Sequence, residues 1–215
     1  MGFINVSPGI DKYVFTQATA PSGEGEVEGS LWYDTTANLL YTYSGSAWEK
    51  VAATGAMVLI DTQTLTSTAQ EFDFTSLDIN TDGHYLMIVN LENSETATEQ
   101  ISLFCNGDET ATNYYYQRVL INNTAIDSNR TNRSRAVTMV SNGVCCSKIN
   151  IWLDADGKMR TTSSHVYSET STIMGESLFG YHNSAQANIT QLTLKHDDAN
   201  GFAIGSSVSL YKVSP

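Results

Sequence analysis

Basic residues, cysteines and long apolar runs are all scarce in this chain of 215 residues. Eleven Lys and Arg stand against 23 Asp and Glu, a formal charge of −12. Nucleic-acid binding relies on clustered cations that displace counterions, so packaging and transcriptional roles are disfavoured. The three cysteines are an odd number, with no CxxC spacing and no Cys/His cluster able to close around zinc, so no disulfide framework and no metal site is expected. Cys145 and Cys146 are adjacent in a β-like run and point to opposite faces. Buried free thiols, and assembly in a reducing cytoplasm, are the expectation. No run approaches the roughly 18 apolar residues needed to cross a bilayer, and the start lacks the basic and apolar regions of a signal peptide. A soluble protein is expected, without membrane insertion and not exported by the usual route.

Also missing are a 3.6-residue apolar stripe with caps, which argues against helices, and an internal repeat, which argues against a propeller. What is present is strand after strand. Candidates are Met57 to Ile60, Glu71 to Phe74, His84 to Leu91, Ile101 to Cys105, Tyr114 to Ile121, Ala136 to Val140, Val144 to Leu153, Met159 to Tyr167, Ile173 to Tyr181, Asn188 to Lys195 and Gly201 to Val213. Between them, Thr81-Asp82-Gly83, Asn106-Gly107-Asp108, Ser141-Asn142-Gly143, Ala155-Asp156-Gly157 and Ala199-Asn200-Gly201 put Gly where a positive φ follows Asn or Asp. The chain reads as all-β, ending in a β-sandwich of jelly-roll type over 53–215. Residues 1–20 show no sustained period and are expected to form an extended arm, followed over 21–52 by a small β-meander.

That meander carries a resemblance. Leu31 to Asp34, Leu39 to Tyr43 and a third strand at Trp48 are separated by polar turns. Gly29-Ser30-Leu31-Trp32-Tyr33-Asp34-Thr35, an aromatic strand, then Ser44-Gly45-Ser46-Ala47-Trp48 resembles a segment of tail-fibre and appendage proteins of tailed bacteriophages. Within it Trp32, Tyr33, Tyr41 and Trp48 offer a large aromatic area for attachment. A module this thin needs a neighbour to cover its apolar face.

A second resemblance lies beyond position 84. Tyr85 to Asn93, Ile101 to Asp108 with Asn113-Tyr114-Tyr115-Tyr116, and the closing Ile189 to Leu194 with Gly201 to Tyr211 are similar to a phage virion jelly-roll family, although Lys212 stands where a glycine commonly follows Leu-Tyr. The two resemblances imply a non-enzymatic structural protein of the virion, such as a tail fibre, head fibre, capsid decoration or adaptor. They imply a homotrimer joined to portal, tail or major capsid protein. The alternative is a receptor-binding, lectin-like protein that recognises host surface glycan.

Several clusters carry competing readings. Tyr114, Tyr115 and Tyr116 offer apolar planes with polar tips suited to a sugar ring, but alternation sends Tyr115 opposite the other two, so at least one belongs to the core or an interface. Asp154-Ala155-Asp156-Gly157 opens like a calcium loop without its closing acid and fits a hairpin turn better. Asn106, Asp108, Glu109 and Asn113 fit an Asx-type turn better than a cation site. Seven of the eleven basic residues fall between 118 and 160, which suits a solvated face or one meeting an acidic surface. With four histidines a triad is countable, but neither a Gly-x-Ser-x-Gly elbow nor HExxH occurs, so neither enzyme nor cofactor is expected.

Overall fold

The computed structural model describes residues 4–5, 13–22, 26–51, 57–122, 125–139, 143–169 and 172–213. The chain is all-β and divides into two units, 1–54 and 55–215.

The first unit is one sheet of five strands in chain order: β1 (Ile4–Asn5), β2 (Tyr13–Gln17), β3 (Leu31–Asp34), β4 (Leu39–Tyr43) and β5 (Trp48–Lys50). The arm expected over 1–20 is corrected in its described part, because β2 pairs in parallel with β3, setting Phe15 opposite Trp32. Parallel neighbours need a crossover. The chain between β2 and β3 supplies one, and residues 18–22 of it bring cover to the meander. Pro21 is buried there and its carbonyl accepts the Trp48 indole N–H at 3.2 Å. The Trp32 indole N–H donates to the Gln17 carbonyl at 3.0 Å. Phe15, Trp32, Tyr41, Tyr43 and Trp48 thus form an aromatic cluster on one face of the sheet. The β4–β5 reversal needs Gly45, whose φ is +92°.

In the second unit the chain runs β6 (Met57–Thr64), β7 (Glu71–Phe74), a single helical turn α1 (Ile79–Asp82), β8 (His84–Glu92), β9 (Glu99–Cys105), β10 (Tyr114–Asn122) and β11 (Ala125–Thr131). It continues through β12 (Val137–Met139), β13 (Val144–Leu153), β14 (Met159–Glu169), β15 (Thr172–His182), β16 (Leu192–Lys195) and β17 (Ser207–Val213). Two sheets result, an eight-stranded one in the order β11-β10-β15-β14-β13-β8-β17-β6 and a four-stranded one in the order β12-β9-β16-β7. Strict alternation builds the core between them. From the large sheet come Tyr85, Met87, Val89 and Leu91 of β8 with Ile149 and Ile151 of β13. They meet Phe72 and Phe74 of β7, Ile101 and Leu103 of β9, and Leu192 and Leu194 of β16. Each such side chain contributes about 1.5–3 kcal/mol of apolar burial.

Gly83, Gly107 and Gly157 take the positive φ expected of them, while Ser141 and Asn142 lie outside the described residues. Gly201 needs no such conformation; it is glycine because the buried His196 ring occupies the space that a Cβ would fill.

The four-stranded sheet is too narrow to cover all of the large one. The 132–136 segment closes part of the gap, with Ser134, Arg135 and Ala136 buried, while Leu120, Tyr167 and Met174 form a small separate cluster. Between these apolar regions the inner face holds the polar residues described next.

Candidate functional site

Three regions of the second unit bring chemistry-bearing side chains together: a sealed polar cluster on the inner face of the eight-stranded sheet, a turn at its end, and a row of rings and arginines on its outer face.

The sealed cluster is centred on Glu176 of β15, whose side chain is wholly shielded. Arg135 donates to Oε1 at 2.9 Å, His165 Nε2 lies 2.9 Å from Oε2, the Thr138 hydroxyl donates to Oε2, and Arg118 Nε sits 3.6 Å from Oε1. Burial by itself would raise the Glu176 carboxyl, but the His165 and Thr138 hydrogen bonds and the Arg135 charge outweigh it and hold it below its ordinary range. An acid, an imidazole and a hydroxyl therefore meet, but in an order unsuited to nucleophilic catalysis. The hydroxyl bonds to the acid and not to the imidazole, and the His165 and Glu176 side chains are wholly shielded from solvent. Its chemistry is charge neutralisation. The basic run between 118 and 160 is accordingly not one solvated face, since Arg118 and Arg135 turn inward to Glu176.

The side-chain oxygens of the turn at Asn106 to Asn113 are taken up by hydrogen bonds within the turn and to neighbouring segments. Asp108 Oδ1 accepts from the Thr110 amide and Oδ2 from Asn113, with His182 Nε2 at 3.0 Å; the His182 hydrogen bond holds Asp108 well below the usual carboxylate range. Asn106 Oδ1 accepts the Thr190 and Gln191 amides. Asp154 likewise accepts from the Asp156 and Lys158 amides and from Arg160, as a hairpin turn does. No group of three metal-ligating side chains occurs among the described residues.

Of the sugar-stacking candidates, Tyr114 and Tyr116 point inward and are buried, the Tyr114 hydroxyl donating to the Asp108 carbonyl at 2.7 Å. Tyr115 points outward, as alternation requires. Its ring stacks on Tyr181 with centroids 5.1 Å apart and planes 11° apart; Arg130 lies over Tyr115 at 5.9 Å and Arg160 over Tyr181 at 4.8 Å. Strand register extends the row: Tyr115 opposes Tyr181, Tyr181 opposes Arg160, and Arg160 opposes Trp152. In the next row Gln117, Phe179, Thr162 and Asn150 stand abreast. All of these except Asn150 line a recess of about 330 Å³, which adjoins a second hollow lined by Asn150 and sharing Trp152 and Thr162. Trp152 and Phe179 were not singled out in the sequence, although period-2 alternation puts both on the solvent face; Arg130 and Arg160 belong to the basic run of 118–160.

Farther along the same face, small residues open a trough of about 650 Å³. Gly175, Ser177 and Ser164 form its floor between Ile121, Val119, Val166 and Ile88. Cys146 lines it and is exposed, which corrects the expectation of buried thiols; Cys105 and Cys145 are buried, and burial pushes them up to about 11 and about 12.

In the first unit, Trp32 is buried and stacks on Tyr41 at 4.6 Å, with Trp48 edge-on at 6.0 Å. These three attachment candidates build the unit's own aromatic cluster. Tyr33, the fourth, faces the other way, exposed beside its cross-strand partner Leu40. Comparison of the chain with protein-family models, curated proteins and solved structures finds no match.

Proposed function

We propose that this chain is a non-enzymatic, self-associating structural protein of a tailed-phage virion. It serves as a tail fibre, head fibre, decoration or adaptor, and is assembled in the host cytoplasm. The sequence resemblances supply the phage context and the jelly-roll assignment. The observation that carries self-association is the outermost strand β6, where Met57, Val58, Leu59 and Ile60 are all exposed. Side chains alternate over Met57 to Leu59 and the register slips at Ile60, between the Leu59–Tyr211 and Asp61–Leu210 pairs, so the exposed apolar neighbours leave both faces and one backbone edge of the strand uncovered. Natural edge strands carry charge, proline or a bulge against uncontrolled pairing. Here the register break at Ile60 and the single charge of Asp61 still leave Met57 to Leu59 bare, so a partner surface is the fitting explanation. A homotrimer closes such surfaces by symmetry. The first unit attaches the trimer to portal, tail or major capsid protein through the exposed Tyr33–Leu40 pair. Deleting residues 1–52 is expected to give particles that lack the protein while the truncated chain still self-associates. Particles that retain it would overturn the attachment role.

A second reading, host-glycan recognition, is favoured by the outward rings of Phe179 and Trp152 beside the Tyr115–Tyr181 stack and its arginines. It is compatible with the first and requires that a Tyr115→Ala, Phe179→Ala variant assemble normally but lose adsorption to host cells.

A further inference from the structure

We propose that the recess between Arg130 and Trp152 takes an acidic saccharide, a sugar bearing a carboxylate, in preference to a neutral one; this rests on the glycan reading above. Three observations support it. First, the two arginines differ. Arg160 is committed, with Nε and NH2 both 2.6 Å from Asp154 Oδ2. Arg130 has no carboxylate partner among the described residues and is exposed. No acid lines the recess, so Arg130 leaves a local positive charge in a chain whose net charge is −12. A guanidinium held over a ring keeps its in-plane N–H donors, the fork that matches a carboxylate.

Second, the faces of Tyr115 and Tyr181 are occupied by one another and by the arginines, so neither tyrosine is the stacking platform. Phe179 is 50% exposed and Trp152 half-buried, and neither has a ring partner among the described residues. These two rings are free to meet the apolar face of a sugar. Third, Gln117 and Thr162 line the recess in the Phe179 row and supply the neutral donors and acceptors that sugar hydroxyls require. A volume of about 330 Å³ lies at the small end of ligand sites and suits a terminal sugar residue. The ligand is a saccharide and not a single-stranded nucleic acid, because the one guanidinium left unpaired at the recess matches a single carboxylate, whereas a phosphate backbone requires clustered cations.

The test uses the full chain on a printed array of uronic-acid and sialic-acid oligosaccharides and their neutral counterparts, with a single-stranded oligonucleotide alongside. Retention confined to acidic saccharides is expected. Arg130→Gln and Phe179→Ala should each weaken it at least tenfold, with circular dichroism unchanged. If neutral sugars bind equally well and Arg130→Gln has no effect, acid selectivity fails while the glycan reading stands. If no saccharide is retained, both fall. Oligonucleotide binding as tight as that of any saccharide would show general polyanion attraction and overturn the proposal.

Discussion

His165 and Glu176 meet at 2.9 Å across neighbouring strands β14 and β15, and neither side chain is exposed to solvent. Their pairing, with Arg135 on the other carboxylate oxygen, places an ionic cluster inside a sandwich that is otherwise apolar at its centre. Replacing a buried pair as a whole is often neutral, whereas removing one partner leaves an uncompensated charge. Glu176→Gln, which strands Arg135, is therefore expected to cost about 3–5 kcal/mol in denaturant unfolding. A loss under about 1 kcal/mol would show that solvent reaches the cluster.

The same carboxylate sets a pH dependence. Glu176 and Asp108 are both held below their ordinary values, 4.5 and 3.8, so between folded and unfolded pKa the folded state binds fewer protons. Their contribution is complete above the unfolded values and is lost as pH falls through the folded ones. Burial holds the His196 imidazole below its ordinary 6.5, so the denaturation midpoint should decline gently below about pH 6.5 and more steeply below about 4.5, and Glu176→Gln should flatten the steeper fall. A midpoint that rose on acidification would contradict the sign.

Two glycines on strand or turn positions should respond in opposite directions. A Cβ at Gly175 meets nothing within 4 Å, and its φ is not positive, so Gly175→Ala should stabilise by about 0.4–1 kcal/mol through the unfolded chain. At Gly201 the added methyl collides with His196, and Gly201→Ala should destabilise by about 1–3 kcal/mol or more. Thermal melts of the two variants make the comparison.

Trp32 is the centre of the first unit's aromatic cluster, and Trp32→Ala should cost about 3–5 kcal/mol there. Limited proteolysis is expected to cut within residues 13–51 of this variant while residues 57–213 stay protected. Protection of both regions would mean that the cluster does not hold the unit together.

Thiol labelling reports on the outer face. Cys146 is exposed and Cys105 and Cys145 are not, so a maleimide should modify one thiol per native chain and three in denaturant. Protection of Cys146 in the assembled state would move the subunit interface from the β6 edge to the trough around Gly175.

Most of the second unit was legible because burial on one face leaves a period-2 pattern. In β13, Val144–Leu153, buried and exposed residues alternate over eight positions, and the expected bounds match. Strand β11 was missed because Ala125–Thr131 is a polar edge strand whose residues are nearly all exposed, so no alternation marks it. Strand β2 was missed because its partner β3 is reached only after a crossover, a non-local pairing without a hairpin signal. The Glu176 cluster joins side chains from residues 118 to 176, which the local pattern could not bring together. The outward face of Tyr115 was legible from alternation; its stacking on Tyr181 depends on strand order.

Self-association through the second unit is tested most directly by the mass of the full chain in solution, from light scattering or sedimentation over a hundredfold range of concentration. A single species at three times the chain mass of 23.5 kDa is expected, and Leu59→Lys, which places a charge on the exposed β6 edge, should reduce it to the monomer. A monomer at every concentration, or a trimer indifferent to Leu59→Lys, would contradict a closed assembly built on that strand.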